Sequence, residues 1–345
     1  MPRPKGSNAN RVQRVTLQDV AKAADLHVMT VSNALSGSRS VAPATRERVQ
    51  QIARELNYVP NSAAQALATG RTGLVAVMCG SLHEWYYAQM FASLERVLYA
   101  ERYKVFFLRR PFELKEFLET TGDAAIDGAI AIDMHSGIDA EALVTSLRNR
   151  PLVPCVSIGT YSWALIDSVV IDLSVGVRGA VNVMVAAGRQ RIAYLVTTQQ
   201  MSLPIETRTG AYIASVERAG FQPEIINADT NVLTQVGPEL MAYIQQHGCP
   251  DALLCQNDEV AMTAYRVLRD LGRRVPEDVM LVGCDGQLHM KYFDPPLSTV
   301  VQPVEESCRV AWSFLKKRMA NPTLPHQRVV LEGELVLRES LLART

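Results

Sequence analysis

The sequence has no apolar run near the roughly 20 residues that a membrane-spanning helix needs. No Cys-x-x-Cys pair occurs among its six cysteines, and no apolar core follows the basic residues of Met1–Arg14. A membrane-spanning helix, a thiol-paired zinc or disulfide scaffold and a secretory leader are therefore not expected. Cys79, Cys155, Cys249, Cys255, Cys284 and Cys308 are expected as buried, reduced thiols, because most sit in apolar segments such as VAVMC and VPCVSIG. A soluble, cytoplasmic chain with no membrane partner is the expectation.

Catalytic signatures are missing as well. There is no GxGxxG after a strand, no GxxxxGK[ST], no GxSxG and no HExxH, and the six histidines are scattered. Hence no catalytic residue, metal set or cofactor is expected, and the chain reads as a non-enzyme. Nor is either charge in excess, with 35 Lys+Arg against 35 Asp+Glu.

What is present begins with size: 345 residues, 48% hydrophobic and 20% charged, enough for two or three compact units and incompatible with disorder as the main state. The neutral total conceals a split. Residues 1–72 hold 10 basic and 4 acidic side chains, a surplus of +6, and the remainder carries −6. A basic head on an acidic body suggests a polyanion binder at the N-terminus, with a merely solvated face as the alternative.

Residues 1–14 read as a flexible basic tail. Residues 15–60 contain three short helices: TLQDVAKAA, with Thr16 as N-cap and Leu17, Val20, Ala21 and Ala24 on one face; MTVSNAL; and PATRERVQQIARELN, with Pro43 in its first turn. Residues 61–72 form a candidate linker, Ala-rich and uncharged up to Gly70, a suitable helix stop. From Gly73 the texture changes to apolar strands alternating with helices: GLVAVMC, KVFFLR, GAIAID, VPCVSIG, IAYLVT, ALLCQN and VMLVGCD. Strands apolar on both faces predict parallel sheets covered by helices, and the length of 73–345 calls for two of them.

Thr16–Leu35, TLQDVAKAADLHVMTVSNAL, has the layout of a helix-turn-helix, in which the second helix lies in the major groove. Residues 15–72 resemble the DNA-binding region of the LacI/GalR family of transcription regulators through TLxDVAxxA, TVSxxL, VxxxTRxRV and ELNYVPNxxAxxL, and the likeness continues over nearly all the remaining chain. The fold so implied is multidomain: an all-α, lambda-repressor-like head plus an α/β, periplasmic-binding-protein-like (type I) core of two doubly wound subdomains.

The resemblance places base-reading side chains at Val28, Met29 and Asn33 and phosphate contacts at Thr16, Thr30 and Ser32, with Tyr58 and Asn61 in its NY-x-PN segment. Leu67 matches the hinge leucine that wedges into the minor groove. Asp25 replaces the usual turn Gly, His27 a capping Ser, and Asn33 a frequent Arg. In residues 73–345 the resemblance implies an effector core, subdomain 1 being about 73–171 and 303–328, and subdomain 2 about 172–302 and 329–345. Arg208, Asn257 and Asp285, with Tyr86 and Tyr87, are the implied effector contacts. Ser202 and Val232 replace larger or charged groups, so a sugar or polyol is preferred to a purine. The partners implied are a near-palindromic double-stranded DNA operator, a small-molecule effector and a second copy of the chain as a homodimer. The function implied is a sequence-specific transcriptional regulator, more often a repressor in this family; a solute-binding protein or a small-molecule enzyme on the same α/β body are the alternatives.

Overall fold

The structure is a computed structural model and describes residues 15–36, 40–59, 66, 70–109, 111–133, 153–161, 166–198, 207–230 and 232–342. The chain divides into two compact units, Met1–Thr72 and Gly73–Thr345.

In the first unit, α1 (Leu17–Ala24), α2 (Val28–Leu35) and α3 (Pro43–Glu55) enclose a core of Val20, Ala21, Ala24, Val31, Ala34, Val41, Val49 and Ala53. A reciprocal capping box starts α1: Asp19 N donates to Thr16 Oγ1 at 3.4 Å, and Thr16 N donates to Asp19 Oδ2 at 2.8 Å. Asp25 ends α1 in the left-handed region at φ 50°, a conformation that Asp tolerates better than most residues. Arg48 Nη2 then donates to Ala24 O at 2.9 Å and ties α3 to the end of α1. Of the linker, the structure describes Ala66 and 70–72. Gly70 N donates to Ala66 O at 2.8 Å, and Gly70 lies at φ +67°.

The second unit contains two sheets of six strands among the described residues. The first runs β11-β5-β4-β3-β1-β2, with β1 (Leu74–Met78), β2 (Lys104–Leu108), β3 (Gly128–Ile132), β4 (Cys155–Gly159), β5 (Asp167–Asp172) and β11 (Arg328–Glu332), all parallel. The second runs β12-β10-β9-β8-β6-β7, with β6 (Ile192–Val196), β7 (Glu224–Asn227), β8 (Ala252–Cys255), β9 (Met280–Asp285), β10 (Ser298–Val301) and β12 (Glu334–Val336). Here β12 pairs antiparallel with β10, the one departure from the all-parallel expectation. Both faces are covered, as the apolar strands require. Val75 and Val77 of β1 join Met90, Leu94 and Leu98 of α4 (Trp85–Ala100), whereas Ala76 and Met78 join Leu114 and Leu118 of α5 (Pro111–Thr121). Tyr194 of β6 packs in one cluster with α6 (Ser174–Ala186) and α7 (Thr207–Arg218). Its neighbours Ala193 and Leu195 belong with α8 (Leu233–His247) and α9 (Asp258–Asp270) on the other side. Full burial of each such Val, Leu or Met stabilises the unit by about 1.5–3 kcal/mol.

The chain passes between the sheets after Asp172, between Val301 and α10 (Val304–Ala320), and at Gly333. The third crossing falls later than the boundary at 328/329 expected from sequence, because Arg328–Glu332 pairs along β5. A Cβ on Gly333 would lie 2.3 Å from Leu173 Cδ2 and 2.9 Å from Val301 O, so the three crossings touch one another and only glycine fits there. One buried ion pair braces the first lobe: Arg318 Nη2 and Nε bond Asp167 at 2.8 and 3.1 Å, with Asp167 fully buried.

Candidate nucleic-acid interface and ligand cleft

At about 100° per residue, α2 turns Met29 and Asn33 along one outward stripe, flanked by Thr30 and Ser32, and turns Val31 and Ala34 into the core. Met29 is 64% exposed and Asn33 half-buried. Val28 packs partly against the core, so the outward contact expected of it is only partial. The helix starts with His27, whose Nδ1 accepts from Met29 N at 3.3 Å. This long bond is the weakened cap expected from a His in place of Ser. Thr16 is exposed, and its hydroxyl donates to Asp19 Oδ2 at 2.7 Å. The two Thr16 bonds hold the Asp19 carboxyl below its ordinary value. Tyr58 packs against the helices, where burial raises its pKa. The candidates Asn61 and Leu67 lie outside the described residues, as does Ser202.

In the second unit the remaining candidates collect at the C-terminal ends of parallel strands, where open α/β sheets bind ligands. Asp285 ends β9, 7% exposed and at φ 115°. Gln302 Nε2, just past β10, donates to Asp285 Oδ1 at 2.8 Å. Burial pushes the Asp285 carboxyl well up; the charge of Asp258 adds to this, and the Arg208 guanidinium opposes it. Arg208 stands in the first turn of α7, and its Nη1 donates to Gln256 O at 2.6 Å, just past β8. The Gln256 side chain is itself fixed, since Oε1 accepts from Thr197 N at 2.7 Å. Asn257 caps α9, its Oδ1 accepting from Val260 N at 2.9 Å, so this oxygen is engaged within the protein.

Tyr86 and Tyr87 open α4 with ring centroids 5.3 Å apart. Burial raises both phenols, and both feel the carboxylates of Asp133, after β3, and of Asp285, from the other sheet. The tyrosines therefore stand between the two lobes. Trp85 bridges them directly: its backbone N–H donates to Glu259 Oε1 at 2.9 Å, and its ring meets His289 edge-on at 4.8 Å. Glu84 beside it is pushed up to about 7 by partial desolvation, then by Glu259 and Asp133. The cleft thus brings together Tyr86, Tyr87, Arg208 and Asp285, while Val232 is 56% exposed at the N-cap of α8.

Sequence reasoning missed Asp133, Gln256 and Gln302. Each is the first residue after a strand; the strand is apolar and legible for Asp133 and Gln256, whereas Gln302 follows Ser298–Val301, which begins with two polar residues. Among the described residues no cluster of His, Cys, Asp and Glu could hold a metal ion, and no helix is long and apolar enough to cross a membrane.

The signature of the bacterial regulatory proteins of the lacI family matches residues 16–61, and that of a periplasmic binding protein-like domain matches residues 181–341. The HTH-type transcriptional regulator CelR of Thermobifida fusca is 32% identical over 96% of this chain and 99% of its own. The ribose operon repressor of Haemophilus influenzae is 27% identical over 94% and 98%. Among solved structures, the lac repressor dimer bound to operator and the anti-inducer ONPF superposes with a TM-score of 0.81 at 25% identity, covering 96% of this chain and 100% of that one. A CelR–cellobiose complex superposes with a TM-score of 0.64 at 28% identity, covering 95% and 100%.

Proposed function

The chain belongs to the lacI family of bacterial regulatory proteins, and from that premise we propose a transcriptional repressor that binds a near-palindromic operator as a homodimer in the cytoplasm and responds to a sugar or polyol. Its relatives are regulators, not enzymes. What carries the reading is that one chain holds both an outward α2 stripe of Met29 and Asn33 and, in its other unit, a polar cleft at the strand ends.

The division of labour follows from the chemistry. Asn33 suits a bidentate contact to adenine, and Met29 an apolar contact to a thymine methyl. Thr16, Thr30 and Ser32 suit phosphates, and the surplus of +6 in residues 1–72 makes affinity fall steeply with salt. Asn61 and Leu67 remain hinge assignments from the sequence, Leu67 as the minor-groove wedge. In the cleft, Asp285 and Gln302 offer acceptors and donors to hydroxyl groups, Arg208 a donor fork, and Tyr86 or Tyr87 an apolar face for a sugar ring. The carboxylates of Asp133 and Glu259, which act on Tyr86 and Asp285, disfavour a phosphorylated or carboxylated effector. The cellobiose bound by the CelR neighbour is such a neutral polyol.

The test is a thermal-shift screen of neutral sugars, polyols, sugar phosphates and nucleobases on the full chain, followed by operator release with each stabilising compound. A neutral sugar or polyol is expected to stabilise the second unit and change operator affinity. Asp285→Ala is expected to lose that response at least tenfold in effector affinity, with operator affinity unchanged. An Asp285→Ala protein that responds normally overturns the site.

A further inference from the structure

Asp285 faces the cleft in a backbone conformation that a residue with a side chain rarely adopts, φ 115°, and is followed by Gly286 at φ +79°. Such a conformation persists only where its surroundings dictate it. The surroundings here converge on one side chain. Asp258, the first residue of α9, is 0% exposed, and its Oδ2 accepts from Gln287 N at 2.6 Å. Its Oδ1 accepts from Thr299 Oγ1 at 2.6 Å, and that hydroxyl in turn accepts from Gly286 N at 3.1 Å. The two backbone amides that follow Asp285 are therefore both held, one directly and one through a hydroxyl, by a single carboxylate. Space for it is cleared by Gly283 on β9, where a Cβ would come within 2.2 Å of Asp258 Oδ1.

We propose that Asp258 is the positioning residue of the effector site: its buried carboxylate shapes the turn from Asp285 to Gln287 and so presents the Asp285 carboxyl to the cleft. This rests on the reading of Asp285 as an effector contact. Asn257 beside it caps the helix, so the two adjacent residues divide the work: one starts α9, and the other connects α9 to the end of β9.

The arrangement has an electrostatic consequence. Asp258 is faced by Asp285 and by Cys255 of β8, with Arg338, beyond β12, as its cation. Asp285 is faced by Arg208, Glu259, Tyr86 and Tyr87 as well as Asp258. Burial pushes Asp258 up to about 7, its hydrogen bonds opposing that, and the pair titrates as a unit. Neutralising Asp258 removes a negative neighbour and lets Asp285 ionise more readily.

The experiment uses full-length protein labelled with carbon-13 at aspartate carboxyls, Asp285→Asn identifying the resonance. In Asp258→Asn, the titration midpoint of Asp285 is expected to drop by about one pH unit, a tenfold change in proton affinity, and amide exchange at Gly286 and Gln287 to quicken at least tenfold. Thr299→Val keeps the Asp258 charge and removes only the hydroxyl. It is expected to quicken exchange at Gly286 without the drop in midpoint, and it serves as the test if Asp258→Asn does not fold. An unchanged midpoint with protected amides in folded Asp258→Asn, or unchanged exchange at Gly286 in Thr299→Val, overturns the proposal. If Asp285→Ala loses the effector response while these readouts do not move, the effector site stands and the positioning role falls. If Asp285→Ala responds normally, the effector reading itself is what fails.

Discussion

At the N-terminus, the candidate contacts with DNA come from one stretch of sequence, Thr16 to Leu67, whereas the cleft draws Tyr86, Asp133, Arg208, Asn257 and Asp285 from strand ends and helix starts far apart in the chain. The materials differ too. Among the described residues, the head's fully packed side chains are Val and Ala, and its polar bonds include caps at the surface and the part-buried tie of Arg48 to Ala24 O, but no buried carboxylate. The second unit buries Leu, Met, Tyr and Trp, and inside that packing it keeps Asp167, Asp258 and Asp285. A small core of short side chains leaves a head to be stabilised locally, by caps of about 1 kcal/mol each. A large core can hold charges, provided that each is partnered.

The sharpest way to break this contrast is the Asp167–Arg318 pair, since it joins the start of β5 to α10 and, through Gln327 N at 2.7 Å, to the entry of β11. Asp167→Ala leaves a buried guanidinium without its acid. It is expected to cost the second unit about 3–5 kcal/mol, read by denaturant unfolding, with the helical transition of the head unchanged. A loss under about 1 kcal/mol would place this pair with surface bridges and remove the contrast.

Acid titration separates the units by sign. Asp258 is raised from 3.8 to about 7 and Asp285 well above its ordinary value, so between 3.8 and about 7 the folded second unit holds protons that the unfolded chain has released. Its stability is therefore expected to fall as pH rises from about 4 to 7, by up to a few kcal/mol. Asp258→Asn is expected to flatten that slope. Asp19 in the head is lowered below 3.8, so its contribution is complete above that value and disappears only as pH falls through the lower folded value. Unfolding followed separately in the two units between pH 5 and 7 checks this: a flat head beside a sloping body is expected, and equal slopes would refute it.

The same contrast explains how much was legible in the sequence. Helix periodicity, Thr16 and Asp25 place the head because its signals are local. In the body, seven apolar strands could be read, but β5, β7, β10, β11 and β12 escaped. These carry polar residues, lie at sheet edges or are as short as Glu224–Asn227 and Glu334–Val336. The third crossing was placed early because RVVLEGELV is one continuous β-rich run, and only the contacts of Gly333 with Leu173 and Val301 divide it between two sheets. Arg208 and Asp285 were found through the short motifs around them. Asp258 was legible only as a helix-start acid, because the amide and hydroxyl it holds belong to residues 29 and 41 positions away.

The smallest expected effect tests whether the head is truly governed by its caps. His27 begins α2 with an imidazole nitrogen 3.3 Å from Met29 N, a long bond that needs the ring neutral at Nδ1. A serine places a hydroxyl oxygen closer to the same orphan amides. His27→Ser is therefore expected to stabilise the head by about 0.5 kcal/mol, read as a rise in the melting temperature of its helical signal. The second unit, whose helices lie elsewhere in the chain, should not respond. A destabilised head would mean that the imidazole supports α2 through contacts other than its cap, and the view of the head as a locally stabilised reader would have to be revised at this residue first.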